Sequence, residues 1–209
     1  MNRSSFLQNL IDADVVNVRQ KVEIAELFSF ESRNRFSIQT ENGSEFGYCK
    51  EPKLDWQDAL MRQFLGHWRN FDLVGTDNLG QKSFRAHHPH RWFLRHLDLY
   101  SPGDRYLGGL QQRFAWFEKR FDYLDAQGNT FATMNSSIWK PWTFPVTQGA
   151  RKIAVIEKKW SGLAKEMFTD ADNFRVRFIQ PRLTGDQKLL ILISAIFVDL
   201  LYFESKASR

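Results

Sequence analysis

Lys188-Leu-Leu-Ile-Leu-Ile-Ser-Ala-Ile-Phe-Val-Asp-Leu-Leu-Tyr-Phe-Glu204 is the stretch on which the fold turns. Between Leu189 and Phe203 the only polar residues are Ser194 and Asp199. A helix with apolar residues on every face must be surrounded, by protein or by lipid. The run is about 15 residues long, roughly 22 Å at 1.5 Å per residue. A bilayer crossing needs about 20, and an ionised Asp199 is costly in hydrocarbon. The reading is therefore a central helix over 186–204 buried inside protein, with a marginal membrane anchor as the alternative. Leu190, Ile193, Phe197 and Leu201 share one stripe of this helix, while Leu189, Ile196 and Tyr202 lie elsewhere on it. Burial in protein requires that both sets be covered.

The preceding residues supply the cover. Val18, Gln20, Val22 and Ile24 fall on alternating positions, as a strand requires. Asn42-Gly43 sits between two alternating segments and predicts a hairpin with a type I′ turn. Phe71–Phe84, turning near Gly80, and Phe121–Phe131, turning at Gly128, repeat that design; Ser101-Pro-Gly-Asp104 and Gln148-Gly149 mark two more turns. The last strands are expected at Ala150–Lys159 and Phe174–Phe178. Five turn signals imply roughly ten strands or more, and a sheet that large curls or closes. The exception is Leu54–Leu65, where Trp56, Leu60, Met61 and Phe64 predict an amphipathic helix. A curled sheet has an apolar inner face to cover, and the helix has apolar faces to bury: together they predict a β-barrel threaded by its own C-terminal helix. Residues 1–14 read as an N-terminal arm or short helix with Phe6, Leu7 and Leu10 on one side; 15–209 read as the barrel domain.

Composition agrees with one globular domain: 209 residues, 43% hydrophobic and 25% charged. The 19 Phe and 7 Trp suit wide sheets and barrel interiors. A net charge of +5 favours anionic partners such as lipid head groups or nucleic acid, with a solvated basic surface as the alternative. The single cysteine, Cys49, excludes an internal disulfide. The first twelve or so residues lack the apolar core of a secretory signal, so a cytoplasmic protein is expected. No Gly-rich phosphate loop, nucleophile elbow or Cys/His metal spacing occurs, and no acid–base pair or triad is apparent. Bond-making catalysis is not expected.

Ile156-Glu-Lys-Lys-Trp160-Ser-Gly162 is followed by Phe168-Thr-Asp-Ala-Asp-Asn-Phe174 and then by the apolar helix ending Phe203-Glu204. This order resembles the phospholipid scramblase family, in which a Lys-x-Trp-x-Gly segment precedes Phe-Thr-Asp-Ala-Asp-Asn-Phe and an Asp-containing apolar helix. The resemblance extends upstream through Phe30-Glu31, Asn34-Arg-Phe36, Arg62-Gln-Phe64, Arg69 and Tyr100-x-Pro102-Gly103, covering nearly the whole chain from about Val15. It implies a mainly β fold, a tubby-like (LURP-one-related) closed barrel of about 12 antiparallel strands around a buried C-terminal helix. It also implies action on membrane phospholipids, with Ca²⁺ as trigger, or, in some relatives, a soluble module that binds anionic lipid or a protein partner without transport. Association with the membrane would be peripheral or weakly anchored, and no nucleic-acid partner is expected.

The family's calcium segment carries over to Asp170, Asp172, Phe174, Val176 and Phe178. Pro181 replaces its final acidic residue, and Arg175 and Arg177 lie between the would-be ligands. Two carboxylates beside two guanidinium groups predict at most weak Ca²⁺ binding, since ligand charge count sets affinity. Separately, Phe84–His96 is basic and aromatic. Arg85, Arg91 and Arg95 are candidates to meet anionic head groups, with Trp92 at the interface; the alternative is a strand pair and loop with solvated charges. His87, His88 and His90 lack partners at metal-ligand spacing. Trp139, Trp142 and Trp160 are assigned to core or rim.

Overall fold

In the computed structural model of the chain, residues 5–21, 35–52, 71–89, 94–115, 118–137, 139, 142–159 and 173–202 are described. The strands are β1 (Val15–Lys21), β2 (Arg35–Thr40), β3 (Glu45–Lys50), β4 (Phe71–Asp77), β5 (Lys82–His88), β6 (His96–Tyr100), β7 (Tyr106–Arg113), β8 (Glu118–Leu124), β9 (Thr130–Ser137), β10 (Thr143–Gln148), β11 (Arg151–Lys159) and β12 (Asn173–Phe178). Each is antiparallel to its neighbours in the chain, and β12 returns to β1 with Val176 opposite Val16 and Phe174 opposite Val18. The twelve strands thus form a closed barrel. Closure removes the exposed edges that a flat sheet of this size would present. The expected helix at Leu54–Leu65 lies outside the described residues.

Four hairpins share one turn. In each, a residue's N–H donates to the carbonyl four residues on, and its own carbonyl accepts from the N–H three residues on. The pattern starts at Thr40, Asp77, Ser101 and Asp125. The first side chain completes the loop: Asp77 Oδ1 accepts from the N–H groups of Leu79 and Gln81, and Asp125 Oδ1 from those of Gln127 and Asn129. The fourth position has positive φ in Gly43 (85°), Gly80 (76°), Gly128 (82°) and, in the Ser101 turn, Asp104 (57°). The hairpin expected at Asn42-Gly43 therefore exists, but its turn is not type I′. That type needs positive φ at both central residues, and Asn42 is not among those with positive φ. A type I turn followed by one left-handed residue, with a register shift after Ile38, does the job instead.

The central helix, α2 (Gly185–Tyr202), occupies the barrel. Every residue from Leu189 to Leu201 is buried, including Leu190, Ile193, Phe197 and Leu201 and, on the other faces, Leu189 and Ile196. Among the described residues no helix is long and apolar enough to cross a membrane. The polar residues of α2 are placed inside the protein. Ser194 Oγ lies 2.7 Å from the Ile191 carbonyl and 2.7 Å from the buried Tyr123 hydroxyl of β8. Asp199 is buried as well. The helix begins with a reciprocal cap: Thr184 Oγ1 accepts from Gln187 N–H at 3.2 Å, and Gln187 Oε1 accepts from Thr184 N–H at 3.0 Å.

The N-terminal residues form an eight-residue helix, α1 (Ser5–Asp12), with Phe6 and Leu10 buried. Phe6 stacks obliquely on Phe46 (5.4 Å) and Phe84 (5.6 Å). Gly47 makes room for it, since a Cβ there would lie 2.4 Å from the Phe6 ring. Lys188, on the first turn of α2, donates from Nζ to the carbonyls of Ile11 and Ala13, both at 2.7 Å. These are carbonyls that the end of α1 leaves without helical partners. Burial lowers the Lys188 pKa, while Asp14 and Asp12 oppose that shift.

The two ends of the barrel differ. The four Asp/Ser/Thr turns, α1 and the start of α2 share one end. At the opposite rim the odd-numbered strands from β1 to β11 finish, the even-numbered ones begin, and α2 finishes.

Candidate functional site

The calcium segment implied by the family resemblance falls on alternating positions, and alternation decides where its side chains go. Phe174, Val176 and Phe178 all point into the barrel and are buried. Arg175 and Arg177 take the outward positions, and Arg175 is ion-paired with Glu41. The carbonyls of β12 face ladders on both edges, to β1 and β11. Asp170 and Asp172 lie outside the described residues. Among the described residues no group of three or more His, Cys, Asp or Glu side chains could hold a metal ion. The described half of this segment is thus core and ladder, and its donor set does not fit a hard cation, which needs six or more oxygen ligands.

The basic segment Phe84–His96 divides in the same way. Phe84, Ala86 and His88 point inward; Arg85 and His87 point outward. Arg85 is held on the outer wall: its Nη2 lies 3.2 Å from Asp104, its Nη1 3.5 Å from Asp72, and its guanidinium 4.6 Å above the Tyr100 ring. His87 Nδ1 lies 3.1 Å from the same Asp72 carboxylate. Arg95 sits elsewhere. Its backbone bonds Gln112 in both directions at the rim, five residues before Tyr100, or roughly 16 Å along the strand. Arg85 and Arg95 are therefore not brought to one site, and Arg91, Trp92 and His90 lie outside the described residues. His87 and His88, on opposite faces, cannot share a metal.

His88, weighed in the sequence only as a metal ligand, is a core residue. It is wholly buried between Phe71 (4.9 Å) and Phe197 (5.3 Å), and its Nδ1 bonds the His96 carbonyl. Its Nε2 has no hydrogen-bond partner. Burial lowers its pKa from 6.5 to about 4 against the opposing hydrogen bond to His96; Arg95, His87 and His96 add to the lowering. The strand alternation from Phe84 was the signal that could have found it. Cys49 also points inward and is wholly buried, and burial raises its pKa. Of the tryptophans, Trp142 packs partly against the core under Lys158, Trp139 is exposed, and Trp160 lies outside the described residues.

The sequence profile of the Scramblase family matches residues 1–205. Phospholipid scramblase 2 of Homo sapiens is 29% identical over 225 residues, covering 98% of this chain and 72% of its own. Altered inheritance rate of mitochondria protein 25 of Saccharomyces cerevisiae is 26% identical over 240 residues, covering 96% of this chain and 73% of its own. A solved protein of Arabidopsis thaliana is similar at a TM-score of 0.49 and 13% identity over 94% of each chain. With the profile spanning nearly every residue from the N-terminal helix to the end of the central one, the chain belongs to the scramblase family.

Proposed function

We propose that this protein engages membrane phospholipids and moves them between leaflets, as the names of its relatives describe for those proteins. The observation that carries this reading is the family match over residues 1–205. The fold constrains how it would work. The lumen is filled by α2, whose residues are buried on every face, so head groups have no path through the barrel. Lipid must be handled on the outer surface, where a barrel seated in the interface thins or disorders the bilayer, or where several chains assemble. The test is reconstitution in vesicles holding a fluorescent lipid, with the outer leaflet bleached. Transport predicts loss of signal beyond the plateau of protein-free vesicles; a plateau equal to theirs, with and without Ca²⁺, sinks it.

A second reading is a module that binds anionic lipid without moving it. It is favoured by the filled lumen and by the lack, among the described residues, of a membrane-crossing helix. Flotation with vesicles of graded anionic lipid and salt separates the two: the module floats in a salt-sensitive way yet leaves the bleaching plateau unchanged.

Calcium is not expected to gate either activity. Calorimetry on the whole chain should give at most weak binding, changed little by Asp170→Asn with Asp172→Asn. A dissociation constant in the sensor range, around 10⁻⁶ M, abolished by that pair of substitutions, would overturn this.

A further inference from the structure

The barrel carries large apolar side chains in the open, and three of them share one rim. Phe114 follows β7 and is 73% exposed; Trp139 follows β9 and is 86% exposed; Leu94 precedes β6 and is 40% exposed. The strand order puts Leu94 and Phe114 on adjacent strands, where Arg95 bonds Gln112 across β6 and β7, and Trp139 on the far side of β8, whose Glu118 stands opposite Ser137 at the end of β9. Leu94 is held at φ 49°, a left-handed conformation uncommon for any residue other than glycine. Immediately below Phe114 on the outer wall, Arg113 of β7 stands directly opposite Arg120 of β8. Like charges so placed repel. Both guanidinium groups lean on one carboxylate, Asp122, at 2.7 and 3.8 Å. Within this trio two guanidinium groups share one carboxylate, and the arginine side chains are 49% and 50% exposed.

Exposed guanidinium groups that share a single carboxylate beside an aromatic rim are the chemistry of a membrane interface. Anionic head groups supply further counter-charge, and Trp and Phe seat at the boundary between head groups and acyl chains. The geometry points to the rim of β6–β9 as the surface that docks on an anionic phospholipid bilayer, with Phe114, Trp139 and Leu94 entering the interface and Arg113 and Arg120 meeting lipid phosphates. The barrel then stands with its tight turns and α1 away from the bilayer. This assignment rests on the proposal that the protein engages phospholipid, and it adds which surface does so and in what orientation.

The test is flotation of the full chain with vesicles of phosphatidylcholine containing phosphatidylserine. Arg113→Gln with Arg120→Gln should weaken partitioning about thirty-fold, from roughly 1 kcal/mol per basic residue near such a surface, and should flatten its salt dependence. Phe114→Ser with Trp139→Ser should reduce partitioning comparably while leaving the salt dependence in place. Leu79→Ser is the control, because Leu79 is 81% exposed on the β4–β5 turn at the opposite end; it should float as the wild type does. Brominated lipid should quench the wild type more than Trp139→Phe. Equal flotation of rim variants and wild type overturns the docking surface while leaving lipid engagement intact. A wild type that does not float overturns both. Displacement by inorganic phosphate at constant ionic strength overturns the membrane assignment in favour of a free-phosphate site. Thermal melting of each variant, expected near wild type at these exposed positions, shows that lost flotation is not lost folding.

Discussion

Phe197→Ala should destabilise the protein by about 3–5 kcal/mol, the usual cost of emptying a large aromatic site in a core. The ring sits at the meeting of helix and barrel, with Phe121 at 6.0 Å, Phe71 at 6.1 Å and His88 at 5.3 Å. Those partners come from three strands closed into a ring, so the walls cannot collapse onto the vacancy without breaking ladder bonds. Ile193→Ala and Leu190→Ala should cost about 2–5 kcal/mol by the same reasoning. The severest form of the experiment ends the chain at Gln187. Without α2 the inward faces of twelve strands have nothing to bury against, and the shortened chain should be insoluble. A truncated chain that stays soluble and melts cooperatively would show that the helix is an appendage rather than the core. Chemical denaturation of the point variants, with the midpoint and slope recorded, measures the smaller effects.

The second large effect is acid sensitivity through His88. The ring must be neutral to stay where it is, so its pKa falls from 6.5 to about 4. In the unfolded chain His88 takes up a proton as the pH drops through 6.5, whereas in the folded protein it does so only near 4. Between those values the unfolded state binds more protons, and stability falls with falling pH. The full loss is about 3 kcal/mol, complete below pH 4. His88→Gln retains a donor for the His96 carbonyl and removes the titration, so its stability should change less over this window. Glu45 cannot account for the difference. Hydrogen bonds from Lys21, Tyr48 and Ser37 hold its pKa at about 2, below the usual 4.5, so what it contributes is lost only as the pH falls below 4.5. Parallel pH dependences of unfolding in the wild type and His88→Gln between pH 7 and 4.5 would refute the assignment.

The sequence was most legible where a residue's constraint is local. Gly43, Gly80 and Gly128 are needed for positive φ, and each announced its hairpin. The apolar run announced its own burial because no face of it could be left in water. The type I′ expectation failed because the Asn-Gly pair is silent about the residues flanking it: Thr40 and Ser44 bond to each other's backbone and widen the loop. The Ser101 turn hid its left-handed position in Asp104 rather than in neighbouring Gly103. The candidate lipid and calcium residues were harder, because grouping by sequence distance joins residues that a strand sends to opposite faces. Arg85 and His88 are three apart, yet one meets water and carboxylates and the other two phenyl rings. Arg113 and Arg120 are seven apart and stand together, a neighbourhood that only strand register creates.

The order of the elements has a consequence for how the protein is made. A ribosome delivers β1 first and α2 after all twelve strands. Domains of larger proteins often fold as they emerge, but here every strand leaves the ribosome before the helix that its inner face will cover. Closure of β1 on β12 waits for residues about 160 positions apart in the chain, and such long-range pairing is intrinsically slow. Until α2 appears, the nascent sheet holds Phe71 and Phe121 without the Phe197 ring that they pack against in the finished barrel. Completion of this barrel is therefore a step that follows synthesis of α2, and its yield depends on what shields an open, aromatic sheet before its filling arrives.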